Sequence, residues 1–131
     1  MTIALALLLA QAGAAPEGPD CAKAVVQQEM NYCAAQEFHA ADAEMNAQWR
    51  ITAAQMRRRD QETAVRDDQR EDWPGYFETL LAGQRAWLAY RDAQCDSEGF
   101  EARGGSMEPM LVALCRTALT RQRTRQLQDL S

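Results

Sequence analysis

The sequence predicts an all-α fold: a small disulfide-stapled helical bundle, with a long antiparallel helical hairpin and a C-terminal helix packed on it. Three observations point there. The 131 residues allow one domain, or one domain plus a processing segment. Ala, Gln, Glu, Arg and Leu abound while Val, Ile and Thr are scarce, a composition that favours helices over a sandwich or barrel. Apolar residues return at three- and four-residue spacings along three stretches of the chain. The 47% of hydrophobic types overstates the core, because 24 of those 61 residues are alanine.

The first segment is expected to stand outside the fold. Ile3 to Ala10 is a short apolar run, and Ala10 with Ala12, or Ala12 with Ala14, fits an A-x-A cleavage signal. A bilayer-spanning helix needs about 20 apolar residues, so this run is too short to span. Residues 1–15 are read as a signal peptide, although no Lys or Arg precedes the run, residues 16–20 as a tether, and residues 21–131 as the folded domain. Pro19-Asp20 ahead of Cys21 is not a small-residue lipobox. The expected location is periplasmic or secreted, without membrane insertion. In such an oxidising compartment an even set of four cysteines means disulfides.

From Cys21 to about Arg70 the chain is polar, Ala-rich and nearly free of Gly and Pro. Met30, Cys33, Phe38, Met45, Trp49, Ala53 and Met56 mark an apolar helical stripe, thinned by alanine. Residues 57–72 are almost wholly charged and read as a solvated helix end and turn. Trp73-Pro74-Gly75 punctuates the chain and opens the next helix. Tyr76 to Cys95 carries the strongest pattern, with Phe77, Leu80, Leu81, Gln84, Trp87, Leu88, Arg91 and Cys95 on one face. Asp96 to Met107 holds Gly99, Gly104, Gly105 and Ser106 and reads as a loop. The last helix is expected from about Glu108 to Leu127, with Pro109 in its first turn. Its inner face is Met110, Leu111, Leu114, Cys115, Ala118 and Leu119, and its outer face Arg116, Arg121, Arg123 and Arg125.

Several function classes are disfavoured. Nineteen acids against 14 bases give −5, the wrong sign for a general nucleic-acid binder, and the Arg57-Arg58-Arg59 triplet is flanked by acids. A metal site needs close ligand pairs such as C-x2-C, whereas the shortest cysteine spacing is 12 and the lone His39 has no partner at i+4. His39 reads as a surface helix residue, and neither metal nor cofactor is expected. Ser97, Ser106 and Ser131 have no His neighbour in sequence, so no catalytic residue is assigned and the chain is read as a non-enzyme.

Four segments together resemble the LprI-type, lysozyme-inhibitor-like family of small secreted bacterial proteins. They are Cys21-Ala-Lys-Ala with Glu29 and Cys33; Asp42 with Met45-Asn46 and Trp49; Gln84-Arg-Ala-Trp-Leu-Ala-Tyr-Arg-Asp-Ala-Gln-Cys95; and Gly104-Gly105-Ser106 with Cys115, Thr120, Arg123 and Leu127. The third is the most specific. Met45 stands where the family has leucine and Trp49 where it has tyrosine. The likeness spans roughly residues 21 to 127 and implies an all-α secreted domain, with inhibition of lysozyme associated with one class of members.

Four cysteines allow three pairings. Locality, with a family in which the two spacings look like separable units, selects Cys21–Cys33 and Cys95–Cys115. A straight helix would hold Cys21 and Cys33 about 18 Å apart, so the first pairing requires a non-helical lead before a short helix near Gln27. The resemblance also brings Asp42, Asn46, Gln84 and Arg91 together as a structural polar network, with Asp42 as carboxylate partner of Arg91. Trp87 and Tyr90 are expected to pack in the core and at its rim, facing Trp49. The functional reading is non-catalytic binding: inhibition of a lysozyme-type muramidase, with lysozyme or another basic protein as partner, or else an envelope structural or protein-interaction module. The candidate contact is the Glu98–Met107 loop with Arg103, Gly104, Gly105 and Ser106. Arg103 would meet the carboxylates of a glycan cleft.

Overall fold

The computed structural model describes residues 18–64 and 73–131. The expected signal segment, the first two residues of the expected tether and most of the acidic run lie outside the described residues. Three helices make the fold: α1 (Gln27–Ala64), α2 (Tyr76–Gly99) and α3 (Glu108–Asp129), with a single 3-10 turn at Phe100–Ala102 between the last two. Among the described residues there is no strand. Asp60 meets Tyr76 and Asp42 meets Arg91, so α2 runs back along α1. Cys95 joins Cys115 and Arg91 meets Thr120, so α3 turns again and runs in the direction of α1. The α1–α2 hairpin is nonetheless the least extensive of the three helix contacts. The C-terminal helix packs most closely on α1 and next on α2.

The chain enters α1 through a turn. Asp20 accepts the Ala22 N–H on its side chain at 3.1 Å and the Lys23 N–H on its carbonyl at 2.9 Å. That reversal brings the Cα atoms of Cys21 and Cys33 to 5.6 Å, where a bond can close. The helix that follows is not short: it continues unbroken for 38 residues. With no Gly or Pro inside it, nothing in the sequence stops it.

α2 begins without a side-chain cap of its own, because Gly75 stands at the N-cap. The cap comes from across the hairpin. The Asp60 carboxylate accepts the N–H groups of Tyr76 at 2.6 Å and Phe77 at 3.0 Å. A carboxylate at that end satisfies orphan donors and complements the helix dipole. At the other end α2 runs four residues beyond Cys95, so the expected Asp96–Met107 loop shrinks to residues 103–107. The loop expected over Asp96–Met107 includes Gly99. That residue is helical, with φ −60°, and buried. Its missing Cβ leaves room for the Val112 side chain of α3. The glycine marks a close helix contact and not a break.

The core is small. Met45, Met56, Leu80 and Leu127 form its centre, with Trp49, Phe77 and Trp87 packed around them. Trp49 sets its ring against Phe77, at 6.5 Å between centroids, and not against Tyr90, which is exposed. Ala34, Ala41, Ala53 and Ala113 are buried and let the helices approach closely. The expected inner face of α3 is shifted. Leu114 and Ala118 face solvent, while Ala113, Cys115, Thr117, Thr120 and Leu127 are buried. Threonine is tolerated there because its hydroxyls are used. Thr117 donates to the Ala113 carbonyl at 2.9 Å, and Thr52 of α1 donates to the Leu127 carbonyl at 2.9 Å. Of the arginines expected on the outer face, Arg116 and Arg123 are half-buried, Arg116 paired with Asp92 and Asp96 and Arg123 bonded to Gln84, while Arg121, paired with Glu37, and Arg125 stay exposed.

Gly99→Ala is expected to destabilise the fold by about 1–3 kcal/mol through overpacking against Val112, outweighing the about 1 kcal/mol by which Ala ordinarily surpasses Gly in a helix. Adding Val112→Ala should recover part of the loss. Urea unfolding of the two variants checks this; an unchanged midpoint for Gly99→Ala would contradict the contact.

Candidate functional site

Two constellations were expected to matter: the polar residues between the helices and the turn before α3. The first is centred on Arg91, whose side chain is only 8% exposed. Its Nη1 donates to Asp42 Oδ1 of α1 at 3.4 Å and to Thr120 Oγ1 of α3 at 3.3 Å. Its Nε donates to Asp92 Oδ1 at 2.9 Å. The guanidinium also lies 5.2 Å from the ring centroids of both Phe38 and Trp87, within cation–π reach. Asn46 donates to the other Asp42 oxygen at 3.1 Å, which holds that carboxylate in place.

Gln84 is not joined to Arg91. Its amide nitrogen reaches Met45 Sδ at 3.7 Å, and its oxygen accepts from Arg123 Nε at 2.9 Å. The expected network is therefore two clusters on one face of α2, about two helical turns apart. Burial lowers the Arg123 guanidinium's pKa from its ordinary value. Sequence reasoning missed Asp92, Phe38 and Thr120 as partners of Arg91. Thr120 did stand among the residues carrying the family likeness. The signal for Asp92 was its place beside Arg91 and one turn before Asp96, opposite Arg116.

The second constellation is the turn of residues 103–107. Gly104 has φ +75°, the one left-handed residue among those described, so glycine is required there. Its N–H donates to the Glu108 carboxylate at 2.7 Å, and the Gly105 N–H donates to the Ala102 carbonyl at 2.8 Å. Ser106 offers its main-chain carbonyl to the Asn31 side chain of α1 at 2.8 Å. Asn31 in turn accepts from Gln27, at 2.8 Å. The turn is thus held from both sides, by α3 and by the start of α1. Arg103 stands exposed above it, its guanidinium 4.4 Å from the Phe100 ring centroid. Val25, Val26 and Met107 are exposed at the same end of the bundle. Asn31 and Glu108 escaped sequence reading because both are ordinary helix residues in a chain rich in them.

His39 is exposed on α1 beside Phe38. Among the described residues no cluster of His, Cys, Asp and Glu could hold a metal ion. Among the same residues no helix is long and apolar enough to cross a membrane.

A protein-family model described as "Lysozyme inhibitor LprI" matches residues 20–127. An uncharacterized protein of Rhizobium meliloti (strain 1021) is 50% identical over 130 residues, covering 97% of this chain and 91% of its own. No solved structure matches the chain.

Replacing Arg91 by Leu is expected to destabilise the protein by about 2–3 kcal/mol, since it strips Asp42 and Thr120 of a shared donor. For a domain of this size that lowers Tm by roughly 10 °C. Calorimetry checks it. An unchanged Tm together with lost partner binding would make Arg91 a contact residue instead.

Proposed function

The chain belongs to the LprI lysozyme-inhibitor family, and on that premise we propose that it is an extracytoplasmic, non-catalytic protein that binds and inhibits a lysozyme-type muramidase. The two disulfides suit an oxidising compartment. Residues 1–15 serve in this reading as the signal peptide and residues 16–20 as a tether, releasing the domain to the periplasm or the medium.

The observation that carries the proposal is the pinned turn with exposed Arg103. An inhibitor of a glycan-cleaving enzyme must place a protrusion in a cleft and meet the carboxylates there. A turn already fixed by Asn31 and Glu108 loses little freedom on binding. Arg103 supplies the cation. Gly104 and Gly105 keep the tip narrow, and Ser106 is committed through its carbonyl to holding it. The chain as a whole, with its charge of −5, favours encounter with a basic enzyme.

A lysozyme turbidity assay tests this with the folded, oxidised domain. The expected result is slowed clearing at micromolar protein, weakened by added salt, and lost by about tenfold or more in Arg103→Glu with Tm unchanged. No effect on clearing would remove inhibition. Capture of a different envelope protein would then favour the interaction-module reading.

A further inference from the structure

At the opposite end of the bundle from the 103–107 turn lies a groove to which the reading above gives no role. It is formed by the last turns of α1, the first turns of α2 and the C-terminal part of α3, and encloses about 930 Å³, within the range of small-molecule sites. Its walls are largely apolar. Met56 and Leu80 are buried there, and Trp73, Pro74, Tyr76 and Leu130 border it.

Among the described residues the charges on the groove have one sign to spare. Asp60 is the sole carboxylate among the described lining residues, and both its oxygens are taken by the N–H groups that cap α2. Arg59 and Arg123 also line the groove. Among the described residues neither has a carboxylate within ion-pair distance. Arg123 donates to the neutral amides of Gln84 and Gln126 and is half-buried against Trp87, 6.0 Å from that ring's centroid. A wholly apolar guest would leave the guanidiniums to be desolvated without gain. A polyanion would meet apolar walls and too few cations.

We propose that this groove is a binding site for a single-chain amphiphile with an anionic head, a long-chain carboxylate, lying with its chain along Met56, Leu80 and Trp73 and its head at Arg123 and Arg59. Both halves of such a molecule are matched: apolar area is removed from water along the chain, and the carboxylate answers the guanidiniums bidentately.

Gly83 supplies a clean test. It lines the groove on α2, it is helical, and a Cβ built there meets nothing within 4 Å. A side chain at this position starts from open space and extends over the groove, and the helix gains from losing a glycine. The experiment titrates the oxidised protein with the fluorescent fatty acid cis-parinarate and displaces it with oleate or with methyl oleate. Oleate is expected to displace the probe at micromolar concentration and the uncharged ester at least about tenfold more weakly. Gly83→Leu should weaken uptake about tenfold or more while keeping the helical circular dichroism of the parent. Arg59→Gln should weaken oleate and leave the ester unchanged. Absence of probe uptake by the parent overturns the assignment. So does equal binding of acid and ester, undiminished uptake by Gly83→Leu, or a dimer of the parent that Gly83→Leu splits, which would make a second copy the occupant.

Discussion

One buried guanidinium, that of Arg91, touches all three helices and limits how they can pack. A charge held this far from water is tolerated only when its donors are used. Arg91 therefore needs Asp42 from α1, Thr120 from α3 and Asp92 from its own helix at fixed positions. The two contacts that cross between helices set the register of α1 and of α3 against α2, and Asp92 holds the guanidinium in place for both. Phe38 and Trp87 close over the cation and keep water out. A hydrophobic residue could fill the space, but it would not select one sliding position of an alanine-rich helix over the next.

The need for such a node follows from the thinness of the core. Alanines bring helices close but bury little area each, and four larger side chains make up the buried hydrophobic centre. The disulfides compensate through the unfolded state. Closing loops of 12 and 20 residues is worth about 3 kcal/mol each in the chain-entropy model. They also act locally. Cys95–Cys115 and the Gly99–Val112 contact clamp the same end of α2 to α3, and Cys21–Cys33 folds the entry segment back onto α1. That end of the bundle, cross-linked twice, is where the Arg103 turn stands. The other end, without a cross-link, holds the groove, and there Asp60 caps α2 while Trp49 and Arg57 of α1 pack on Phe77.

Much of this was legible in the sequence, and the exceptions share a cause. Helix-forming composition and spacing located three helices, and the Tyr76–Cys95 face is half-buried or buried at every position named. Asp42 and Asn46 from one segment of the family likeness and Arg91 from another come together in the structure. What misled was residue type taken without its neighbours. Gly99 looked like a turn because a close helix contact leaves no mark in one strand of sequence. Leu114 of α3 looked inward, yet it is exposed and threonines share the buried face, because their hydroxyls bond within the helix or to Arg91. Gln84 was grouped with Arg91 by position along α2, while Arg123, assigned to solvent, is its actual partner. Each error concerns which helix a residue faces, and that is set by three-body packing and not by periodicity.

The central claim is that Arg91 couples the helices and does not merely sit between them. A double-mutant cycle between Arg91→Leu and Asp42→Ala, read by urea unfolding of the oxidised protein, tests it most directly. The account predicts that the two losses fall short of adding by about 1 kcal/mol or more, with the cycle through Thr120→Val showing the same sign. Additive losses in both cycles would contradict it.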